Sequence, residues 1–407
     1  MTKNDLKTAW IEEIPDGWRM VRASLAVTPV ERPPLPEDEV VTCFRDGEVT
    51  LRSNRRTDGF TVSFQEIGYQ HIEEGDLVIH SMDGGWGAIG VSDSDGKASP
   101  VVHAYRSEEN DVKFVAYVLR AMAYSGYLIA QTKGIRERST QFDRKSFSNL
   151  YLPLPDLETQ RHIADYLDKE ISEMDALIEE FEGLVTSLAS RRGVYLQSRF
   201  DPVITGDASL KMGTFAQISL GKTFQGEPKE GQEGAFPVNY VRAANIQPHG
   251  QLVLDEQTMY ATQDEVEKYT LKAGDVVVVE GGAGFGRSLT LQEDLPGWIF
   301  QNHVIRLIPR PGWLGEFLDY TIRAHLYSGY IELQTVGATI PGLSSERAAN
   351  LPVAFITLEE QQKRVIEARE ELARMDALIE ESTQLIENLK ARKTALITEV
   401  VTGRKEV

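Results

Sequence analysis

The chain has 407 residues, an apolar content of 41% and a formal net charge of −19. The length predicts more than one domain, and the apolar content is sufficient for folded cores. The acidic balance argues against nonspecific binding to nucleic acid but permits a local basic surface. With one cysteine, Cys43, no long apolar run and no signal peptide in Met1–Trp10, the sequence predicts a cytoplasmic protein that does not enter a membrane.

Residues 1–156 predict a mixed α/β globular domain. Short strand-like runs occur at Phe60–Phe64 and Leu77–His80, and a glycine-rich turn follows the second run. Val112–Ala130 is apolar and helix-like. Leu152–Pro155 then leads into a long helical pattern.

Residues 157–200 predict the first long helix. Asp156 precedes Leu157 and is a good N-cap residue. Apolar residues recur at alternating steps of three and four, which is the spacing of a heptad seam. The seam contains Ile163, Leu167, Ile171, Met174, Ile178 and Phe181.

Residues 201–357 predict a second globular domain that repeats the order of the first more loosely. Gly274–Val277 mirrors Gly75–Val78, and a glycine-rich turn follows in both halves. Ser328–Tyr330 likewise mirrors Ser125–Tyr127. The residues between these signals mostly differ, which indicates two related frames with different surfaces.

Residues 358–407 predict the second long helix. Thr357 and Glu360 are spaced as a capping box, and Gly403 supplies a C-terminal stop. The seam again follows steps of three and four. It contains Leu372, Met375, Ile379, Ile386 and Leu389, with Ser382 as a polar break between Ile379 and Ile386.

Both long helices contain the same seven residues. Met174–Glu180 is identical to Met375–Glu381, at an offset of 375 − 174 = 201, close to half the chain. Such a repeat indicates duplication of a domain-sized unit. Because each long helix has one apolar seam, the two are expected to pair as an antiparallel coiled coil. The predicted fold class is α+β, with two similar mixed α/β domains alternating with two long helices.

Several patterns of enzyme chemistry are incomplete. Leu220–Thr223 is like the end of a P-loop, but Ala216 stands where its first glycine is needed. Gly282–Gly286 follows a strand-like run, but Arg287 occupies the third glycine position of a dinucleotide fingerprint. The histidines and Cys43 show no metal-ligand spacing. The sequence also lacks the Asp/Asn-Pro-Pro-Tyr/Phe stretch of an amino-methyltransferase.

Clusters of polar and basic residues are candidates for contact with DNA. Arginine and lysine suit guanine edges and phosphates, whereas asparagine and glutamine suit adenine edges. Ordinary surface ion pairing is the alternative for any single residue. In the first domain the candidates are Arg52, Asn54, Arg55, Arg56, Lys133, Arg136, Arg138, Arg144 and Lys145. In the second they are Lys222, Arg242, Asn245, Arg287, Gln301, Asn302 and His303.

The alternation of two differing domains with two nearly repeated helices resembles the specificity subunit of Type I restriction-modification systems. The motifs that carry the resemblance are Leu152–Pro155 with Leu157-Glu-Thr-Gln160, Leu351-Pro352 with Leu358-Glu-Glu-Gln361, the repeated Met-Asp-Ala-Leu-Ile, Gly-Asp-Leu-Val from Gly75, Gly-Asp-Val-Val from Gly274, and Thr402-Gly403. The resemblance covers essentially the whole chain. Thr159 stands where glutamate is usual, which predicts a weaker cap on the first helix.

The resemblance implies a non-catalytic subunit that binds no cofactor itself. Each domain would recognise one half of a split target in double-stranded DNA. The helices would act as a spacer and dock two modification subunits, which bind S-adenosylmethionine. Restriction subunits, where present, would use ATP and Mg²⁺. Two alternatives remain open: a long-helix scaffold or interaction protein without a DNA role, and a nuclease or methyltransferase that acts alone.

Overall fold

The computed structural model describes residues 10–11, 13–55, 67–131, 142–228, 234–282, 284–333 and 342–407. The chain divides into two compact units. Unit 1 comprises Met1–Phe181 and Gln384–Val407, and unit 2 comprises Glu182–Thr383. Each unit therefore contains one globular segment, the N-terminal part of one long helix and the C-terminal part of the other. This division cuts across the four consecutive segments predicted from the sequence, because each long helix contributes to both cores.

Unit 1 is built around an antiparallel sheet with strand order β2-β9-β6-β7. The strand pairs β1-β10, β3-β4 and β5-β8 are also antiparallel. The strands are β1 Arg19–Arg22, β2 Thr28–Val30, β3 Val41–Cys43, β4 Val49–Leu51, β5 Gln70–Ile72, β6 Leu77–His80, β7 Ile89–Val91, β8 Gly96–Ala98, β9 Val102–Arg106 and β10 Tyr151–Leu154. The expected strand at Phe60–Phe64 lies outside the described residues.

The helices of unit 1 are α1 Ala23–Ala26, α2 Arg52–Arg55, α3 Val112–Tyr124, α4 Tyr127–Gln131, α5 Arg144–Ser148 and the first part of α6 Leu157–Phe200. Asp111 caps α3 by accepting a hydrogen bond from the Phe114 amide. The sequence predicted one helix over Val112–Ala130, and the structure divides it. Gly126 has φ +76°, a left-handed conformation that glycine adopts without strain and that ends α3.

Unit 2 contains a corresponding antiparallel sheet with order β12-β18-β15-β16. Strand β13 pairs antiparallel with β14 and parallel with β17, and β11 pairs with β19. The strands are β11 Ser209–Lys211, β12 Ala216–Leu220, β13 Phe236–Val241, β14 Thr258–Ala261, β15 Val276–Val279, β16 Ser288–Thr290, β17 Trp298–Phe300, β18 Val304–Pro309 and β19 Pro352–Ala354.

The remaining helices of unit 2 include counterparts of α1, α3, α4 and α5, which occupy the same places in the order of elements. The remaining helices are α7 Pro202–Thr205, α8 Met212–Phe215, α9 Gln263–Tyr269, α10 Gly315–Tyr327, α11 Tyr330–Leu333, α12 Ser345–Asn350 and the first part of α13 Leu358–Val401. Helices α3 and α10 each have 13 residues and follow the last strand of their sheet. The duplication seen in the sequence is therefore a duplication of the fold, and the β13-β14-β17 sheet is where unit 2 departs from unit 1.

In unit 1 the two long helices pack against each other and against the globular core. Ile163, Leu167, Ile171 and Met174 belong to the same core cluster as the α13 residues Leu396, Ile397, Val400 and Val401. The Lys393 ammonium lies 2.6 Å from the Asp175 carboxylate, and the Lys405 ammonium lies 2.9 Å from the Tyr166 hydroxyl. The residue number rises along α6 as it falls along α13, so these segments run antiparallel.

Unit 2 shows its own contacts between the two helices. Leu196 and Phe200 of α6 share a core cluster with Val365, Ala368 and Leu372 of α13. The guanidinium of Arg192 is 2% exposed and lies 2.5 Å from the Asp376 carboxylate, and Arg199 pairs with Glu367 at 3.1 Å. These segments are also antiparallel.

Residues of the predicted seams face protein. Ile163, Leu167, Ile171, Met174, Ile178, Leu372, Met375 and Ile386 are buried, and Phe181, Ile379 and Leu389 are half-buried. The predicted α+β class, with two similar mixed units and two long helices, is confirmed. Pairing as one coiled coil along both helices stays a prediction.

Each long helix is capped at its N-terminus. The Thr357 hydroxyl accepts a hydrogen bond from the Glu360 amide at 3.3 Å. Thr159 donates both its amide (3.0 Å) and its hydroxyl (2.9 Å) to Asp156, and these hydrogen bonds hold the pKa of the Asp156 carboxyl below its usual value. Thr159 therefore adds a side-chain donor to the first cap where glutamate would add an acceptor, and the weaker first cap stays a prediction.

Candidate nucleic-acid interface and helix surface

The first arginine cluster lies on α2, directly after strand β4. Arg55 pairs with Asp46 at 2.8 Å and Glu48 at 2.9 Å, and its guanidinium lies 4.2 Å from the Phe44 ring centroid. Partial burial raises the pKa of the Glu48 carboxyl, and Arg55 opposes that rise. Acidic neighbours therefore offset part of the positive charge that the sequence indicated.

Two further members of this cluster also have partners within the unit. The Arg52 guanidinium donates to the Thr42 hydroxyl at 3.2 Å. The Asn54 amide donates to the Thr50 hydroxyl at 2.8 Å. Arg56 lies outside the described residues. These contacts fix the orientation of α2 on the β3-β4 hairpin and leave the role of its side chains in DNA binding as a prediction.

The second predicted cluster is only partly described. Lys133, Arg136 and Arg138 lie outside the described residues. Arg144 and Lys145 begin α5, where Asp143 caps the helix. Arg144 forms an ion pair with Glu31. Arg144 and Glu31 line a cavity of about 560 Å³. The other lining residues are Arg32, Pro33, Gly68, Tyr69, Gln70, Pro100, Val102 and His103.

His103 contributes an imidazole to this cavity. Its pKa is lowered, mainly by burial and in addition by the nearby charge of Arg144. At neutral pH the ring is therefore uncharged and offers one hydrogen-bond donor and one acceptor. The cavity thus combines a neutral imidazole with a paired arginine.

Two candidates in unit 2 are occupied by structural contacts. Lys222 is buried and lies 2.5 Å from the Glu265 carboxylate. Asn245 is 2% exposed, accepts a hydrogen bond from the Arg242 amide and donates to the Val253 carbonyl at 2.8 Å. Contact with DNA through either side chain would first require breaking these bonds. Both residues are identified by sequence type, but their burial could not be read from the sequence.

Arg242, Gln301 and His303 lie around one open cavity of about 620 Å³. Arg242 also pairs with Asp255, and this hydrogen bond lowers the pKa of the Asp255 carboxyl. The structure thus brings together three of the residues proposed from the sequence. The other lining residues are Ala243, Ala244, Glu280, Gly281, Gly282, Gly342 and Ser344.

Arg287 and Asn302 occupy other positions in unit 2. Arg287 lines a smaller cavity of about 120 Å³ with His249, Arg323 and Tyr327. Asn302 is half-buried, and its backbone amide donates a hydrogen bond to the Lys222 carbonyl at 2.9 Å. The second set of candidates therefore does not form a single surface cluster.

Glu280 also lines the 620 Å³ cavity and is not among the residues predicted from the sequence. Its carboxylate lies 3.5 Å from the His303 imidazole at the 620 Å³ cavity. The available signal was its position between the apolar strand β15 and the glycine-rich turn. That turn is like an incomplete nucleotide fingerprint, and such a fingerprint assigns no role to the carboxylate before it.

Neither nucleotide-like pattern has the geometry of a nucleotide site. The turn at Gly281-Gly282 connects β15 to strand β16, whereas a dinucleotide site requires a helix there. Lys222 follows strand β12 in an ion pair and does not begin a helix. Within the described ranges no group of histidine, cysteine, aspartate and glutamate could hold a metal ion, and no helix there could cross a membrane.

The long helices carry a repeated set of exposed leucines. Leu177 and Leu378 are equivalent at an offset of 201, as are Leu184 and Leu385. All four are between 38% and 47% exposed. Unit 1 contains Leu177 and Leu385, and unit 2 contains Leu378 and Leu184. Exposed apolar side chains at duplicated positions are candidates for partner contact.

Comparison with known proteins agrees with this architecture. The chain is 23% identical over 420 residues to the Type I restriction enzyme MjaVIII specificity subunit of Methanocaldococcus jannaschii, covering 97% of this chain and 94% of that protein. No protein-family model matches the chain.

Two solved structures share the fold. A chain from work on complex assembly and conformational transition of the type I R-M system matches with a TM-score of 0.65 and 16% identity, over 96% of this chain and 98% of that one. The HsdS subunit from Thermoanaerobacter tengcongensis matches with a TM-score of 0.55 and 16% identity, over 98% and 100%. In sequence and in fold, the chain resembles the specificity subunits of Type I restriction-modification systems over nearly its whole length.

Proposed function

We propose that this chain is the DNA sequence-specificity subunit of a Type I restriction-modification complex. The observation that carries the proposal is the duplicated frame. The sheets β2-β9-β6-β7 and β12-β18-β15-β16 have the same connections, whereas the surrounding loops and side chains differ. Two copies of one scaffold with different surfaces suit a protein that reads two different half-sites. Residues 1–156 and 201–357 would be the two target-recognition domains.

In this proposal the subunit is not itself an enzyme. The nucleotide-like patterns are structurally incomplete, and the candidate residues are basic or amide side chains suited to DNA contact. Methylation would be carried out by modification subunits that bind S-adenosylmethionine. Restriction subunits, where the system has them, would use ATP and Mg²⁺.

The repeated leucines support docking of two copies of one partner. A modification subunit that contacts Leu177 on the first helix would find the same residue type at Leu378 on the second, with the same flanking residues. Because a hydrophobic contact requires no charge complementarity, it suits acidic helices that must bind a partner without attracting DNA. The proposed stoichiometry is therefore two modification subunits for each specificity subunit.

The function is tested by genome-wide methylation sequencing of a host that carries the complete system, with and without this gene. We expect a bipartite methylated motif with an unspecified gap, and its loss when this gene alone is removed. Retention of the same motif would contradict the proposal. DNA binding that is absent from a complete, purified complex would instead favour a structural scaffold.

Docking is tested by substitutions on the helix surface. Leu177→Asp and Leu378→Asp should each weaken assembly with the modification subunit and leave the folded chain soluble, because both side chains are exposed. Ile366→Asp is a matched control. Ile366 is 55% exposed on the same helix as Leu378, and its equivalent at 366 − 201 = 165 is Asp165. Size-exclusion chromatography with light scattering measures the stoichiometry. Equal assembly of all three variants would exclude the leucines as docking residues.

A further inference from the structure

The two units have equivalent backbone positions at the end of a central strand. The Ser81 amide donates to the Val101 carbonyl at 2.7 Å in unit 1. In unit 2 the Glu280 amide donates to the His303 carbonyl at 2.9 Å. Ser81 directly follows β6, and Glu280 directly follows the equivalent strand β15. Ser81 therefore corresponds to Glu280, and Val101 corresponds to His303.

A second hydrogen bond establishes the same correspondence. The Ser81 carbonyl accepts from the Phe142 amide at 2.7 Å, and the Glu280 carbonyl accepts from the Leu343 amide at 2.6 Å. The backbone is thus bonded on both sides in the same way in each unit. The two positions differ only in their side chains. A change of side chain there can therefore alter recognition while the backbone hydrogen bonds stay the same.

The side chains at these positions differ in chemistry. Ser81 is buried and Val101 is half-buried, so unit 1 presents little polar surface there. In unit 2, Glu280 and His303 line the 620 Å³ cavity, with side chains 27% and 60% exposed. Unit 2 therefore has a carboxylate and an imidazole at the positions where unit 1 has the hydroxyl of Ser81 and the apolar side chain of Val101.

A carboxylate on a DNA-binding surface is unfavourable toward phosphates, because both are negative. It gains a favourable contact only from a hydrogen-bond donor on a base edge. In the major groove, cytosine offers its N4 amino group without an adjacent acceptor on the same base. Adenine offers N6 beside the N7 acceptor, which repels a second carboxylate oxygen. Guanine and thymine present acceptors there. Cytosine is therefore the base that fits Glu280.

We propose that Glu280 is a specificity-determining residue that reads the N4 amino group of a cytosine in the half-site of the second domain, with His303 positioning its carboxylate. This inference rests on the proposed function and deepens it, because it assigns a base to one position of one half-site. The equivalent Ser81 makes no such contact, so the requirement applies to one half of the motif.

The experiment uses the complete modification complex with Glu280→Gln. The amide retains an oxygen acceptor and adds a donor that can pair with adenine N7. At one position of one half-site, preference for cytosine over adenine should fall by roughly 5- to 150-fold, the range for loss of one good base contact. Binding to a panel of duplexes substituted at each half-site position measures this change. Glu293→Gln is the matched control, since Glu293 is an exposed carboxylate of the same unit that does not line the cavity.

A second measurement uses the unaltered complex and does not depend on the folding of a variant. The wild-type complex is given a duplex in which the cytosine of the half-site is replaced by its analogue without the N4 amino group. We expect a similar fall in affinity at that position alone. Unchanged affinity, unchanged preference in Glu280→Gln, or a second half-site without cytosine would each overturn the assignment. A wild-type complex that methylates no bipartite motif would instead overturn the proposed function.

Discussion

Gln361 joins the globular part of unit 2 to the second long helix, and its removal should destabilise that unit. The side chain is fully buried. Its oxygen accepts from the Leu314 amide at 3.1 Å, directly before α10. Its nitrogen donates to the carbonyls of Gly312 at 3.3 Å and Ile356 at 3.4 Å. One side chain therefore satisfies three backbone groups from two segments of the unit.

The variant Gln361→Leu keeps much of the side-chain volume and removes all three hydrogen bonds. An unpaired buried polar group costs about 1–3 kcal/mol. The Leu314 amide makes the shortest bond and should carry the largest share, since the two carbonyl contacts are longer. We expect the free energy of unfolding of unit 2 to fall by about 2–4 kcal/mol. This is a large fraction of the roughly 5–15 kcal/mol typical of a folded domain.

Urea unfolding followed by circular dichroism and tryptophan fluorescence measures the loss. With a slope of about 2 kcal/mol per molar urea, the midpoint of the affected transition should fall by roughly 1–2 M. Gln362→Leu is the control, because Gln362 is the exposed neighbour on the same helix and its replacement should change stability by about 0.5 kcal/mol or less. Equal midpoints for the two variants would refute the role assigned to Gln361.

Three further predictions concern the helices and the two half-sites. Ile178→Asp and Leu372→Asp each place a charge in a buried seam, so each should lower stability by several kcal/mol and reduce complex recovery; normal solubility and assembly would contradict this. Arg55→Ala should relax one half of the methylated motif and Arg287→Ala only the other, as read by genome-wide sequencing; one variant that altered both halves would refute the division. Four residues inserted after the exposed Thr186 keep the seam near the helical period of about 3.6 residues and should change only the unspecified gap. A fixed gap with altered half-site bases would show that the helices do not set the spacing.

The long helices could be predicted because their signal is local and repeated. Apolar residues at steps of three and four over about five turns identify a helix with one buried face. The sequence could not show that each helix contributes to two cores. That result depends on which residues share a core, as Met174 and Leu396 do in unit 1 and Leu196 and Leu372 do in unit 2.

The candidate site was predicted by residue type, and residue type does not determine exposure. Lys222 and Asn245 are suited to DNA contact by chemistry, but the fold places both in the interior with partners. Glu280 is not predicted by residue type, because a carboxylate is suited neither to phosphates nor to the acceptors on base edges. Comparison of its backbone position with that of Ser81 shows that the side chain differs where the backbone hydrogen bonds are the same.

The duplication provides a physical criterion that separates structural residues from recognition residues. Buried polar side chains that are the same at equivalent positions of the two units form hydrogen bonds with the backbone, as Gln160 and Gln361 do. Gln160 accepts from the Asp111 amide at 3.0 Å before α3, as Gln361 does from Leu314 before α10.

The repeated Gly-Asp turns follow the same rule. Asp76 accepts from the Glu73 amide at 2.8 Å, and Asp275 accepts from the Lys272 amide at 3.0 Å. Both carboxylates are buried, and burial raises the pKa of Asp275. A substitution at either turn leaves a backbone donor unpaired in the same place, so the two copies are constrained alike.

Positions with the same backbone bonds and different side chains are constrained differently. At Ser81 and Glu280, the main chain makes the same hydrogen bonds at the end of the strand in both units, and these bonds do not depend on the identity of the side chain. Such positions can change target specificity at little cost in stability. A variant at one of them should therefore alter the motif with an unfolding midpoint close to wild type, whereas a variant at Gln160 or Gln361 should lower the midpoint first. If Glu280→Gln instead lowered the unfolding midpoint as far as Gln361→Leu does, the Glu280 carboxylate would stabilise the fold of unit 2. The distinction between structural and recognition residues drawn from the duplication would then be wrong.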